Sequence, residues 1–344
     1  MKALRKLAAT HEHFELVEVA EPKPEPGWVV LDVIYAGICG TDLHIMHNAF
    51  PSWPPVTVGH EFLGRVASTV GVGVTGWAVG DRVVCEPHSL ACGICHLCRR
   101  GHAEVCMHKR SPGWGIDGGM AERVHVPAHL LHRVPAQVSD LDAALCEPTA
   151  IVMTALERTP VPPGGTVLVF GPGPIGLLAA MAVRACGAGR VVLVGRPSSQ
   201  SRLELAQRLD IEVWDSTQVD VVARAQEITS GRGADLVLET SGAQEAVASA
   251  IAALRRRGRL CVLGVPDSPT LQVPWATAMN RALDVTFSLS SSWASWDAAL
   301  ALMAHGAVHP GPLATVFPLT RWQEAFTALS ERRVVKALLD PRAP

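Results

Sequence analysis

The strand-turn-helix run at residues 166–186 constrains the fold of this chain more than any other stretch. Thr166-Val167-Leu168-Val169-Phe170 is a short apolar run rich in β-branched residues. It leads into Gly171-Pro172-Gly173-Pro174-Ile175-Gly176, and a helical pattern follows to Cys186. G-x-G-x-x-G alone is a weak signal, because glycine-rich turns are common and the bland reading is an ordinary strand-helix connection. After a strand and opening a helix, it stands in the context that dinucleotide binding requires. Gly171 permits the tight turn, Gly173 lets the backbone approach a pyrophosphate, and Gly176 lets helix and strand pack closely. Pro174 and Ile175 open a helix whose free N–H groups and partial positive charge suit that anion.

Further strand patterns follow at 191–194, 235–239, 260–263 and 285–288, with helix patterns between them at 201–209 and 243–254. Alternation of these lengths predicts a parallel, doubly wound sheet over residues 151–290. Residues 1–150 read differently. The runs at 29–34, 64–67 and 80–84 are short and β-branched, with Gly and Pro between them, which predicts a mostly antiparallel β domain with long loops. After residue 291 one helix (296–303) and one strand (335–339) are expected. They are too little for a domain, so residues 291–344 are expected to return to the first one.

A chain of 344 residues is long enough for about two domains. The net charge of −2 offers no attraction to nucleic acid or an anionic membrane. Residues 159–183 carry no charge, but prolines and glycines interrupt them, and the strand-turn-helix explains them better than a membrane span does. With no targeting segment evident, the expected location is the cytoplasm. There the nine cysteines suggest metal ligands before disulfides.

Four of those cysteines form Cys92-x-x-Cys95-x-x-Cys98-x₇-Cys106. Thiolates this close can surround one Zn²⁺ tetrahedrally and leave no open position, a structural site; an iron–sulfur cluster is the rival. A second constellation lies at Gly37-Ile38-Cys39-Gly40-Thr41-Asp42-Leu43-His44 and Gly59-His60-Glu61. A thiol, an imidazole and a carboxylate are the ligands of a catalytic zinc that keeps one position open. Cys146-Glu147-Pro148 adds a carboxylate at the seam between the two domains. His88, His96, His108, His125, His129 and His132 are scattered and read mostly as surface residues.

Taken together, these features resemble the zinc-dependent medium-chain alcohol dehydrogenase family over essentially the whole chain. The matching segments also include Gly80-Asp81-Arg82-Val83 and Asp117-Gly118-Gly119-Met120-Ala121-Glu122. Within the family the Thr41–His44 pattern and Glu147-Pro148 are most similar to the polyol (sorbitol) and threonine dehydrogenase branch. The resemblance implies an α/β protein: a GroES-like, mostly-β catalytic domain plus a doubly wound parallel-sheet Rossmann domain, with the active site in the cleft between them. It implies two zinc ions per chain. Cys39 and His60 hold the catalytic one with Glu61 or Glu147 as third ligand, and Cys92, Cys95, Cys98 and Cys106 hold the structural one. Thr41 matches the hydroxyl that bonds the substrate oxygen, and His44 the histidine that passes the proton towards solvent.

The implied reaction is hydride transfer between a secondary alcohol (polyol, cyclitol or amino-alcohol) and NAD(P), giving the ketone. Tyr35 is the single tyrosine, and the late aromatic contacts of sorbitol dehydrogenases are not evident. Trp53, Trp114 and Trp293 are candidates for shaping a different pocket. An aldehyde- or formaldehyde-handling zinc relative is the second enzyme reading, and a non-catalytic zinc-ribbon adaptor the reading from another class. Partners are a small alcohol or ketone and a second copy of the chain, in a homodimer or homotetramer. The strand at 191–194 runs into Gly195-Arg196-Pro197-Ser198-Ser199, with no carboxylate until Glu204. NAD-preferring sheets place an acid there for the ribose 2′-hydroxyl. Gly195 with Arg196 and Ser198 suits a 2′-phosphate, which predicts NADP as the favoured cofactor and NAD as the alternative.

Overall fold

The computed structural model describes residues 1–69 and 74–344. The apolar runs of the second half form one parallel sheet among the described residues. Its strands lie in the order Glu212–Asp215, Arg190–Gly195, Thr166–Phe170, Ala234–Glu239, Leu254–Val262, Asp284–Phe287. Every neighbouring pair is parallel. The order reverses at Thr166–Phe170, the switch point at which doubly wound sheets bind ligands. That central strand is covered on both faces, and Val167, Leu168 and Val169 are wholly buried. A strand buried on both sides reads as a continuous apolar run, not an alternating one. Leu168, Phe170, Val192, Val194, Trp214 and Val237 belong to its core.

The other unit is built around the long strand Trp28–Gly37. It pairs antiparallel with Glu61–Thr69, Arg123–Pro127 and Lys336–Asp340. Arg82–Cys85 and Leu131–Arg133 extend the sheet on one side and Ala314–Pro318 on the other. Lys2–Lys6 lies between Glu15–Glu18 and Val56–Thr57 in a small separate sheet. Leu31, Val33, Val58, Val83, Met120 and Leu339 contribute to this unit's core.

Residues 1–147, 291–304 and 309–344 form one compact unit and residues 148–290 and 305–308 the other. The chain passes from one unit to the other within the helix Cys146–Arg158. The tail holds more than the expected helix and strand. Besides helix Trp293–Ala304 and strand Lys336–Asp340 it contains strand Ala314–Pro318 and helix Trp322–Ser330. The helix buries Trp322, Ala325, Phe326 and Ala328. Strand Glu212–Asp215 and helix Val221–Ile228 likewise add to the elements expected from the sequence pattern. No helix among the described residues is long and apolar enough to cross a membrane.

Candidate active site

Cys39, Thr41 and His44 sit at one end of the strand Trp28–Gly37, where the chain turns into the short helix Gly40–Met46. Cys39 precedes the helix, and its N–H donates to Asp42 Oδ2 at 2.8 Å. Thr41 Oγ1 lies 3.7 Å from Cys39 Sγ. His44 is exposed on the last turn. His60 and Glu61 arrive from the neighbouring strand, where Glu61 is the register partner of Gly37. Gly59 has φ +95°, and a Cβ there would stand 2.6 Å from Met120 Cγ. Only glycine allows that turn and that contact, which seats His60 against the Gly118-Gly119-Met120 segment.

One donor atom each from Cys39, His60 and Glu61 lie within 4.8 Å of one another, with His60 and Glu61 buried. Asp42 Oδ1 faces His60 Nδ1 at 3.8 Å, a carboxylate placed to orient a ligating imidazole. Burial alone would lower the His60 pKa, but the nearby Asp42 and Cys39 outweigh it and raise it well above the usual histidine value. Glu147 is buried nearby; burial, then the Glu61 charge, push its carboxyl up to about 7. Lys336 pairs with Glu61. Its ammonium is held in the charged form against desolvation by Glu61 and Cys39. Cys39, Asp42, Glu61 and Glu147 thus crowd a site where Lys336 is in ion contact with Glu61, and Asp42 Oδ1 and His60 Nδ1 have no hydrogen-bond partner among the described residues. Those unpartnered buried atoms and that donor set fit a zinc ion.

Cys92, Cys95, Cys98 and Cys106 also bring their sulfurs within 4.8 Å of one another. The Cys92–Cys98 and Cys92–Cys106 sulfurs are 3.9 and 3.7 Å apart. Tetrahedral zinc with bonds of about 2.3 Å sets its sulfurs about 3.8 Å apart, whereas a disulfide needs about 2.05 Å. The Cys92 and His108 backbones help lower the Cys106 thiol to about 6, with the Cys92 bond the larger cause. Arg99, Arg100 and His102 are exposed, as a solvated loop face would be.

In the parallel sheet, Gly171 has φ +100°, and a Cβ on it would meet Ser241 Cβ at 2.9 Å. A Cβ on Gly176 would stand 1.8 Å from Gly171 O, so strand and helix touch there through backbone. Gly173 faces open space, with nothing within 4 Å of a Cβ. It caps the helix Pro174–Ala185, which has Pro174 in its first turn and no side-chain cap. Unclaimed helix N–H groups beside an open backbone cradle fit a pyrophosphate. Gly195 ends its strand packed against Leu203 and Pro172. Arg196 is exposed, and its guanidinium reaches Glu245 Oε2 at 3.4 Å; Ser198 lies in the following 3₁₀ turn.

Two histidines depart from the surface reading. His132 is buried, with its ring nitrogens 2.8 Å from Asp297 Oδ1 and 3.0 Å from Glu86 Oε1. His88 is buried, its Nε2 2.6 Å from the Ser291 carbonyl. Burial chiefly, with Lys109 nearby, lowers His88 to about 4. Both are held by partners from the returning tail. Of the tryptophans, Trp114 sets its ring edge-on to His60 at 5.1 Å. Trp53 carries Arg110 at 3.8 Å above its ring, and Trp293 lies 5.3 Å from His132. Asp42 and Lys336 are neighbours of the metal donors that no motif marks, while Trp114, a candidate for shaping the pocket, does lie beside His60.

A thiol, an imidazole and a carboxylate in one unit, with a glycine cradle on a doubly wound sheet in the other, define an alcohol oxidoreductase of the zinc- and dinucleotide-using kind. Residues 25–136 match the alcohol dehydrogenase GroES-like domain and residues 174–305 the zinc-binding dehydrogenase domain. The chain is 37% identical to the sorbitol dehydrogenase of Halalkalibacterium halodurans over 99% of both chains. Its structure is similar to a zinc-binding dehydrogenase of Sinorhizobium meliloti 1021 bound to NADP (TM-score 0.90, 31% identity, 99% of both chains). It is also similar to 2R,3R-butanediol dehydrogenase from Bacillus subtilis (TM-score 0.88, 30% identity, 99% of both chains). The chain belongs to the zinc-dependent medium-chain alcohol dehydrogenase family. It is an oxidoreductase of secondary alcohols that works with zinc and NAD(P).

Proposed function

We propose that this chain interconverts a secondary alcohol of the polyol, cyclitol or amino-alcohol type and its ketone, with NADP as the preferred cofactor. The convergence of Cys39 with the buried His60 and Glu61 within 4.8 Å carries this reading. When bound, zinc on these three residues supplies Lewis acidity to the alcohol oxygen, and NAD(P) supplies the hydride acceptor. Glu61 is assigned as third ligand because it belongs to the converging set, and Glu147 as the second carboxylate beside it. Thr41, close to Cys39 Sγ, accepts the alcohol's proton as its own hydroxyl proton passes on towards His44. His44, three residues further along the same helix and exposed, hands it to solvent; positions three apart are neighbours on a helix. A second zinc on Cys92, Cys95, Cys98 and Cys106 is structural.

Vicinal hydroxyls are common to sorbitol and 2R,3R-butanediol, after which two of the relatives are named. That shared chemistry supports a substrate with a second polar group next to the reacting carbon. We place the enzyme in the cytoplasm, as the free cysteines suggest, and assemble it as a homo-oligomer. The edge strand Asp284–Phe287, with Phe287 exposed and Trp275 and Met279 exposed on the preceding helix, supports self-association, since such edges invite pairing.

NADP preference rests on Gly195 and Arg196. Arg196 has an exposed glutamate as its ion partner, and a 2′-phosphate can replace it with stronger, charge-assisted bonds. The test is kcat/KM for NADP and NAD on a panel of polyols, inositols, amino-alcohols and simple secondary alcohols, in wild type and Arg196→Ala. Wild type is expected to favour NADP and the variant to lose that preference. A wild type that favours NAD would contradict the assignment.

A further inference from the structure

Three metal-binding side chains outside the active site meet at the edge of the small amino-terminal sheet. His11-Glu12-His13-Phe14-Glu15 runs into the edge strand Glu15–Glu18. Phe14 is buried, with its ring centroid 5.6 Å from Phe326 and 6.4 Å from Trp322. With Phe14 anchored inward, the flanking His13 and Glu15 come together on its outer side. One nitrogen each of His11 and His13 and a carboxylate oxygen of Glu15 lie within 4.8 Å of one another. His13 Nε2 is 3.2 Å from Glu15 Oε1, and the two imidazoles stack with centroids 5.2 Å apart. His11 Nδ1 is buried and has no hydrogen-bond partner among the described residues.

We propose that His11, His13 and Glu15 form a peripheral site for a divalent transition-metal ion, separate from the cysteine cluster and the active site. Two imidazoles and one carboxylate suit Zn²⁺, Ni²⁺ or Cu²⁺, whereas Mg²⁺ and Ca²⁺ prefer shells of oxygen. Tetrahedral zinc with bonds of about 2.0–2.1 Å spaces its donors about 3.3 Å apart. His13 and Glu15 already stand at that spacing, and bringing His11 to it requires the stacked rings to turn towards each other. The His13 side chain, 58% exposed, has room to do so, and water completes the shell.

The site reaches further into the unit through Lys6. Its buried ammonium donates to the His11 carbonyl at 2.8 Å and to the Ile45 and Met46 carbonyls at 2.6 and 3.2 Å. The last two end the helix Gly40–Met46, which carries Thr41 and His44. An ion that fixes His11 thereby restrains a loop tied to that helix, and its binding to the folded form alone raises stability.

The test is calorimetric titration of Zn²⁺ into extensively dialysed holoenzyme, with the thermal midpoint followed in parallel. Wild type is expected to take up one equivalent beyond the zinc it retains, with a rise in midpoint, while Mg²⁺ gives neither. His11→Ala and His13→Ala are each expected to lose that equivalent while keeping the retained zinc, which shows that they are folded. No additional equivalent in wild type, or one that persists in both variants, would overturn the proposal.

Discussion

Lys336 and Glu61 form a buried ion pair between the last strand and the strand that carries the metal donors. Strand Lys336–Asp340 pairs with Trp28–Gly37, whose Gly37 lies opposite both Leu338 and Glu61. A Cβ on Gly37 would stand 2.5 Å from Glu61 Oε2 and 3.2 Å from Lys336 Cε. The missing side chain makes the room in which the pair forms. Lys336 thus offsets part of the negative charge around Cys39, Glu61 and Glu147.

Removing that ammonium should leave Glu61 buried beside Glu147 without a counter-charge. Lys336→Met keeps the length and loses the charge. Losing one partner of a buried pair costs about 3–5 kcal/mol. Equilibrium denaturation of metal-free protein is expected to show a loss of that order, with Lys336→Arg recovering part of it. An unchanged midpoint for Lys336→Met would mean that the pair has no energetic role.

The cofactor cradle makes a contrast between two glycines. Gly173→Ala places a methyl group in open space, so the variant should fold with a wild-type thermal midpoint and show a raised KM for NAD(P). Gly176→Ala would put the methyl group 1.8 Å from Gly171 O, and the backbone would have to move, lowering the midpoint as well. Equal effects of the two on stability would argue against this division of roles.

His132 should give stability a distinct pH dependence. Burial works against its charge, but Glu86 and Asp297, bonded to its two nitrogens, outweigh burial and raise its pKa in the folded state. A raised folded pKa stabilises fully below the unfolded value of about 6.5. The contribution fades as pH rises through the folded pKa. The stability difference between wild type and His132→Gln is therefore expected to be largest at mildly acidic pH and to shrink as pH rises. A difference that grows with pH would reverse the assigned sign.

The motifs were legible because their chemistry is local. The cysteine cluster, the Cys39-to-His44 turn, Gly59-His60-Glu61 and the glycine turn each fit within one loop or one strand end. Lys336 carried no such signal, since only the pairing of the last strand with Trp28–Gly37 brings it to Glu61. His132 and His88, the buried exceptions among the scattered histidines, carry no local signal for the same reason. Local polarity suggested surface, but their partners Asp297 and Ser291 lie 165 and 203 residues away. Asp42 stands within the Gly37–His44 stretch, where its Oδ2 accepts from the Cys39 N–H. Its second role towards His60 depends on how Gly59 turns the neighbouring chain.

The most direct test of the account is zinc content and turnover measured together on Cys39→Ser, with Cys98→Ser as its counterpart. Cys39→Ser is expected to retain one zinc per chain and a thermal midpoint near that of wild type while kcat is lost. Cys98→Ser is expected to lose the other zinc and much of its stability, because a structural zinc contributes folding free energy directly. A Cys39→Ser protein that keeps two zincs per chain after extensive dialysis, which empties the peripheral histidine site, or turns over at near the wild-type rate, would contradict the assignment of Cys39, His60 and Glu61 as the catalytic metal site.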